Sequence, residues 1–210
     1  MKGRKQMTKI YYIGGSPCAG KSTVAEILSK NHDLYYFKVD DYLDNYTKSG
    51  ALKGYPICKK TVELTAEQIW MRDPLLQCEE EFEWYKEVFE YVITDLQQIT
   101  CKNGIITEGA AYVPKLIKQL GVSSDKYISI TPTPEFQVFH FKKREFVPYI
   151  LEGCSDMEKA FDNWMGRDIL FAKEVQRQCR EEGYVSVIND GNMKIDELVD
   201  IVSTHFGWRD

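Results

Sequence analysis

The sequence predicts an α/β fold, a five-stranded parallel sheet with helices on both faces. Three observations predict it. Five short runs rich in β-branched and aromatic residues are separated by segments of helical periodicity. Polar residues follow several of these runs directly, where the ligands of parallel sheets gather. The first run leads into Gly15-Ser16-Pro17-Cys18-Ala19-Gly20-Lys21-Ser22-Thr23, with four residues between two glycines and then Lys and Ser, which reads as a phosphate-binding loop between a strand and a helix.

In order along the chain, Lys9–Ile13 is the first strand. The glycines of the loop after it let several backbone N–H groups converge on phosphate oxygens, and the positive end of the next helix faces the same anion. Gly15 to Thr23 form this anion cradle: Lys21 supplies a point charge to the outer phosphates and the Ser22 hydroxyl a ligand for magnesium. Val24, Ile27 and Leu28 then mark a helix with one buried face, broken at Asn31-His32-Asp33. Leu34–Val39 is the second strand and ends at Asp40-Asp41.

The next strand, Gly104–Thr107, begins about sixty residues later, far more than a simple crossover needs, so an insertion of about residues 42–101 is expected. Its stretch Tyr42–Asp73 is rich in residues that shape a pocket and reads as a second-substrate region. Phe82, Tyr85, Phe89, Val92, Ile93 and Leu96 recur with helical spacing and read as core. Glu79, Glu80, Glu81 and Glu83 crowd the first turns of that helix and are expected to be solvated there.

The third strand ends at Glu108-Gly109, the fourth is Lys126–Thr131, and the fifth, Tyr184–Ile188, ends at Asn189-Asp190-Gly191. Between the last two, Lys142-Lys143-Arg144 opens a basic, hairpin-like connection that reads as a lid of about residues 142–156. Asp156–Glu182 is a long helix with Met157, Ala160, Phe161, Trp164, Phe171, Ala172, Val175 and Cys179 on its buried stripe. Arg167 sits beside that stripe and wants an anion. Ile195, Leu198, Val199, Val202 and Phe206 mark a closing helix.

The length of 210 residues suits one domain over 1–210, and 43% hydrophobic with 28% charged residues is ordinary for a globular chain. A net charge of -5 supplies no basic field for nonspecific nucleic-acid binding. Met1–Lys9 lacks the apolar core of a signal peptide and no apolar run approaches a membrane span, so a cytoplasmic protein without membrane partners is expected, as monomer or homodimer. Cys18, Cys58, Cys78, Cys101, Cys154 and Cys179 form no CxxC pair and read as reduced thiols. Cys18 is the one thiol to single out: its place near a helix N-terminus favours a more acidic pKa, but an inert loop residue is the expected case.

Phosphoryl transfer needs a held triphosphate, magnesium, an aligned nucleophile and positive charge around the transferring group. Lys21 and the loop hold phosphate. Asp40 accepts the proton of an attacking hydroxyl, and Asp41 is a magnesium-shell or substrate partner. Glu108 orients metal-bound water with Ser22, carboxylates being suited to a hard ion that keeps several waters. Arg167, with Arg144, neutralises developing charge.

The set Gly-Gly-Ser-Pro-Cys-Ala-Gly-Lys-Ser-Thr, Val39-Asp40-Asp41-Tyr42 and Ile105-Ile106-Thr107-Glu108-Gly109 resembles the P-loop small-molecule kinases. The likeness is to the uridine kinase and nicotinamide riboside kinase group, and more distantly to shikimate kinase and chloramphenicol phosphotransferase. It implies a three-layer P-loop NTPase fold, ATP and magnesium as cofactors, and a small-molecule phosphoryl acceptor. By resemblance the base is Asp40, the magnesium-associated carboxylate Glu108, the adenine-side element Val187-Ile188-Asn189-Asp190-Gly191 with Asp190 and Gly191 as its binding residues, and the lid arginines Arg144 and Arg167. No nucleoside-recognition pattern is visible between Tyr42 and Cys101. The alternative is a nucleotide-binding regulatory ATPase, although the Asp-x-x-Gly and Asn-Lys-x-Asp elements of GTPase switches and the Ser-Gly-Gly signature of ABC-type ATPases do not occur.

Overall fold

The computed structural model describes residues 8–208, so most of the basic segment Met1–Lys9 lies outside the described residues. The five strands are β1 (Ile10–Gly14), β2 (Tyr35–Lys38), β3 (Ile105–Glu108), β4 (Tyr127–Pro132) and β5 (Val185–Asn189). They pair in parallel in the order β2-β3-β1-β4-β5. Each strand ends one residue beyond the sequence expectation, except β2, which ends one earlier. Glu108 therefore belongs to its strand, in register with Ile13 on one side and Lys38 on the other.

Because side chains alternate across a strand, each buried strand feeds two cores. Tyr11, Ile13, Ile106, Ile128 and Ile130 pack beneath α1 (Lys21–Asn31) and α10 (Ile195–His205). Tyr12, Ile105 and Tyr127 face α5 (Pro74–Gln98), α6 (Pro114–Gln119) and α9 (Met157–Glu182). The result is the expected α/β fold, five parallel strands with helices on both faces.

The insertion is helical throughout: α2 (Leu43–Lys53), α3 (Pro56–Glu63), α4 (Ala66–Trp70) and then α5. Pro74 opens α5 and the Asp73 carboxylate caps it, accepting from the Leu75 N–H at 2.8 Å. The helix thus starts well before the glutamates, which corrects the expectation that they lie in its first turns. Two of them are not solvated either. Glu80 pairs with Lys60 and Arg72, and Glu81 is buried.

Tyr85, Val92 and Leu96 hold α5 to the sheet, and Phe82 stacks on Phe171 of α9 with ring centroids 4.6 Å apart. The connection after β4 is α7 (Pro134–Phe141) and α8 (Val147–Ile150), two short helices rather than a hairpin. Val147 and Leu151 seat it on Phe161 and Trp164 of α9. Among the described residues no helix is long and apolar enough to cross a membrane.

Phe171 is 1% exposed and joins the insertion to the sheet-covering helix. Phe171→Ala should lower the urea-unfolding free energy by roughly 3–5 kcal/mol. A loss below about 1 kcal/mol, within the scatter of surface substitutions, would show that α5 is not held to the sheet through this contact.

Candidate active site

The loop between β1 and α1 is fixed by close backbone approach. Gly15 has φ +117°, and a Cβ there would lie 1.9 Å from the Ile130 carbonyl oxygen of β4, so only glycine fits. Gly20, at φ +93°, turns the chain into α1, whose first residue is Lys21. The first-turn N–H groups of α1 and the loop amides are thereby gathered at one end of the sheet.

Lys21 is buried and folds its ammonium across the loop, donating to the Ser16 carbonyl at 2.7 Å. The Ser22 hydroxyl donates to Glu108 Oε1 at 2.9 Å, and the Tyr36 phenol donates to the same oxygen at 3.1 Å. Glu108 is 1% exposed, and its other oxygen, Oε2, is buried without a hydrogen-bond partner. Burial raises its pKa, Lys21 pulls it back, and Asp40 pushes it up. An orphaned buried carboxylate oxygen beside a loop hydroxyl fits a hydrated divalent cation. Among the described residues no group of three or more His, Cys, Asp or Glu is placed to hold a metal ion, so a cation beside Ser22 and Glu108 would complete its shell with water and phosphate.

A cavity of about 480 Å³ opens over the loop. Residues 17–23, Lys38, Asp40 and Glu108 bound it below, and Phe141, Arg144 and Phe146 of the α7–α8 segment bound it above. Lys21, Asp40, Ser22, Glu108 and Arg144, singled out from sequence, thus share one space. Gly15 and Ser16 support it from beneath. Ser16 is fully buried, and its hydroxyl accepts from Gln137 Nε2 at 3.4 Å.

Other expected residues lie elsewhere. Asp41 is exposed, pairs with Lys38 at 3.4 Å, and does not line the cavity. The Cys18 thiol, whose left-handed backbone has φ 61°, has its pKa raised by burial, against the pull of Arg144 and Lys21. Dehydration thus outweighs both cations, in line with the inert loop residue expected at Cys18. Arg144 reaches the Cys18 sulfur at 3.7 Å.

Asp190 is exposed and accepts from the Asn192 N–H at 2.9 Å, and the Gly191 N–H donates to Asn189 Oδ1. Neither lines a second cavity of about 280 Å³ that shares Cys18, Gly20, Thr23 and Arg144 with the first. The residues that do are Asn189, whose amide donates to the Ala19 carbonyl at 3.1 Å, together with Phe136, His140 and Met193. Of the element Val187–Gly191, Asn189 is thus the residue that reaches the cavity. Phe136 and His140, four apart on α7 with rings 4.1 Å apart, carried a spacing signal that was not used.

Arg167 finds its anions inside the protein. Its Nε and terminal nitrogen donate to Asp168 Oδ1 at 2.8 and 2.6 Å, its Nε lies 3.2 Å from Glu81 Oε2, and its guanidinium sits 5.0 Å above the Trp70 ring. It does not line the cavity over the loop, so the expected direct role beside the phosphates is corrected: both neighbouring carboxylates already claim the guanidinium. Asp168 Oδ2 accepts from Gln137 Nε2 at 3.3 Å, and the same nitrogen reaches Ser16, so this cluster touches the loop through one glutamine. Burial pushes the Glu81 carboxyl up to about 7, with Asp168 adding to the rise and Arg167 opposing it.

No protein-family model matches the chain, and no curated protein matches it. Among solved structures it is similar to a presumptive kinase from Chloroflexus aurantiacus j-10-fl, at 14% identity and a TM-score of 0.43, over 95% of this chain and 99% of that one. It is also similar to shikimate kinase from Aquifex aeolicus vf5, at 19% identity and a TM-score of 0.40, over 94% of this chain and 96% of that one.

The Glu81 pKa carries a pH signature. The unfolded side chain releases its proton near 4.5 and the folded one near 7, so the folded state binds the extra proton between these values. Stability therefore falls as pH rises from about 4.5 to about 7 and levels off above. Glu81→Gln should flatten that decline, leaving the slope contributed by Asp168, when urea midpoints are compared across the window. An unchanged decline would assign the titration to another group.

Proposed function

We propose that the chain transfers the γ-phosphoryl group of magnesium-ATP to a hydroxyl of a small molecule. The observation that supports this most is the meeting of Asp40 with Lys21, Ser22 and Glu108 around one cavity above the loop. A regulatory ATPase needs the cradle but not an exposed carboxylate beside it.

On this reading the triphosphate lies along residues 15–23, with loop amides, the α1 N-terminus and Lys21 on its oxygens. Lys21 exchanges its bond to the Ser16 carbonyl for a phosphate oxygen, so its buried charge is never without an acceptor. The nucleotide base extends into the neighbouring cavity, where Phe136 and Met193 offer apolar contact and Asn189 and His140 offer polar contact. Asp190 and Gly191 serve by shaping the turn that places Asn189.

Ser22 and Glu108 hold the cation, which when bound neutralises charge on the β- and γ-phosphates. Asp40 orients the acceptor hydroxyl and takes its proton as the acceptor oxygen bonds to phosphorus, while the bond from phosphorus to the β–γ bridging oxygen breaks and ADP leaves. Arg144 sits on the opposite wall, positioned by Cys18 for the transferring group. The α7–α8 segment covers the site, and residues 42–101 form the acceptor-binding part of one kinase-like domain.

Two variants separate the roles. Lys21→Ala should abolish acceptor-dependent ADP formation. Asp40→Asn should keep nucleotide affinity roughly unchanged in a binding titration while turnover drops about 10²–10⁴-fold. Normal turnover by the asparagine variant would place the base elsewhere.

A further inference from the structure

Tyr36 has no part in the transfer scheme above, yet it holds the carboxylate on which the cation site rests. It lies on β2, half-buried, with its ring against the core beneath α1. Parallel pairing sets Tyr36 opposite Ile106, and Glu108 stands two residues further along β3 on the same face. A phenol leaning along its strand spans that step. Its hydroxyl donates to Glu108 Oε1 at 3.1 Å, on the oxygen that already accepts from Ser22 at 2.9 Å.

The two donors come from different elements and have different duties. Ser22 lies in the first turn of α1 and lines the cavity over the loop, where its oxygen is also a candidate cation ligand. Tyr36 does not line that cavity, so its bond to Glu108 can persist when a cation and a triphosphate arrive. The consequence is that Glu108 offers one oxygen. With Oε1 held by both hydroxyls, Oε2, buried without a hydrogen-bond partner, is the end left for a ligand. A carboxylate held in this way does not turn both oxygens onto one ion. Magnesium is small, demands a near-octahedral shell and keeps several waters, whereas calcium is larger, tolerates irregular shells and accepts carboxylates by both oxygens. One oxygen therefore suits the smaller ion.

We propose that Tyr36 is a positioning residue of the cation site: it fixes the Glu108 carboxylate with Oε2 alone presented, and so tunes the site toward magnesium and against calcium. The proposal rests on the magnesium-dependent transfer reading. Groups that orient a metal-binding side chain contribute about 10–100-fold to metal affinity.

The experiment adds Mn²⁺, a paramagnetic stand-in for Mg²⁺, to the full chain with ADP present and reads free Mn²⁺ by electron paramagnetic resonance, against ADP alone. Tyr36→Phe keeps the packed ring and removes only the hydroxyl. It should weaken Mn²⁺ binding about 10–100-fold. Ca²⁺, titrated as a competitor, should keep its affinity, so the preference for Mn²⁺ over Ca²⁺ narrows by the factor that Mn²⁺ loses. ADP affinity measured in chelator should stay unchanged. Replacing Tyr36 with 4-aminophenylalanine returns a donor to the tip of the ring and should restore Mn²⁺ affinity. Unchanged Mn²⁺ binding by Tyr36→Phe, with binding lost in Glu108→Gln, would overturn the role of Tyr36 and leave the cation site standing. Equal losses of Mn²⁺ and Ca²⁺, or a matching loss of ADP affinity in chelator, would mark a general disturbance of the loop and overturn that role as well. No protein-dependent Mn²⁺ binding by the wild type would overturn the cation site, and with it both the proposal and the magnesium-dependent transfer reading.

Discussion

The Ser22 to Glu108 hydrogen bond is the contact on which the candidate site depends. It ties the first turn of α1 to the end of β3, and parallel pairing sets Glu108 beside Ile13, the penultimate residue of β1. A carboxylate at 1% exposure is costly unless its oxygens are met. Two hydroxyls share one oxygen and none reaches the other. The sheet therefore holds a partly satisfied carboxylate at the glycine-rich loop, with one oxygen whose chemistry suits a cation. The Gly15 contact with Ile130 keeps the loop close enough to β4 for this to persist.

A second buried charge cluster performs a different task. Glu81, Arg167 and Asp168 place two carboxylates on one guanidinium, and burial, with the Asp168 charge adding to it, raises the proton affinity of Glu81 against the pull of Arg167. The cluster joins α5 to α9 from within, and Gln137 carries it to Ser16 in the loop. The insertion and the glycine-rich loop are thus mechanically connected through named side chains. That connection gives the insertion a defined position relative to the loop.

Much of the fold was legible from sequence because its signals are local. Five hydrophobic runs, a glycine-rich loop and helical stripes each depend on neighbours within a few residues, and the strand ends follow from them. The shared cavity of Lys21, Ser22, Asp40 and Glu108 was legible for the same reason: parallel strands bring their carboxyl ends to one edge. Arg167 and Glu81 were misread because the contact between them joins residues distant in sequence. An inward arginine signals a need for an anion, but nothing local says that the anion is Asp168 beside it and Glu81 eighty-six residues earlier rather than a phosphate. Phe136 and His140 were missed for a like reason, since their meeting with Asn189 joins segments far apart in sequence.

The central claim is that the γ-phosphoryl group goes to a carbon-borne hydroxyl and not to water. The most direct measurement follows ATP labelled in its γ-phosphoryl oxygens, incubated with magnesium, the protein and a mixture of small hydroxylated compounds, by mass spectrometry. The account predicts a labelled phosphate monoester whose formation matches ADP release and stops when the mixture is omitted. Label recovered only as inorganic phosphate, at a rate indifferent to the mixture, would contradict it.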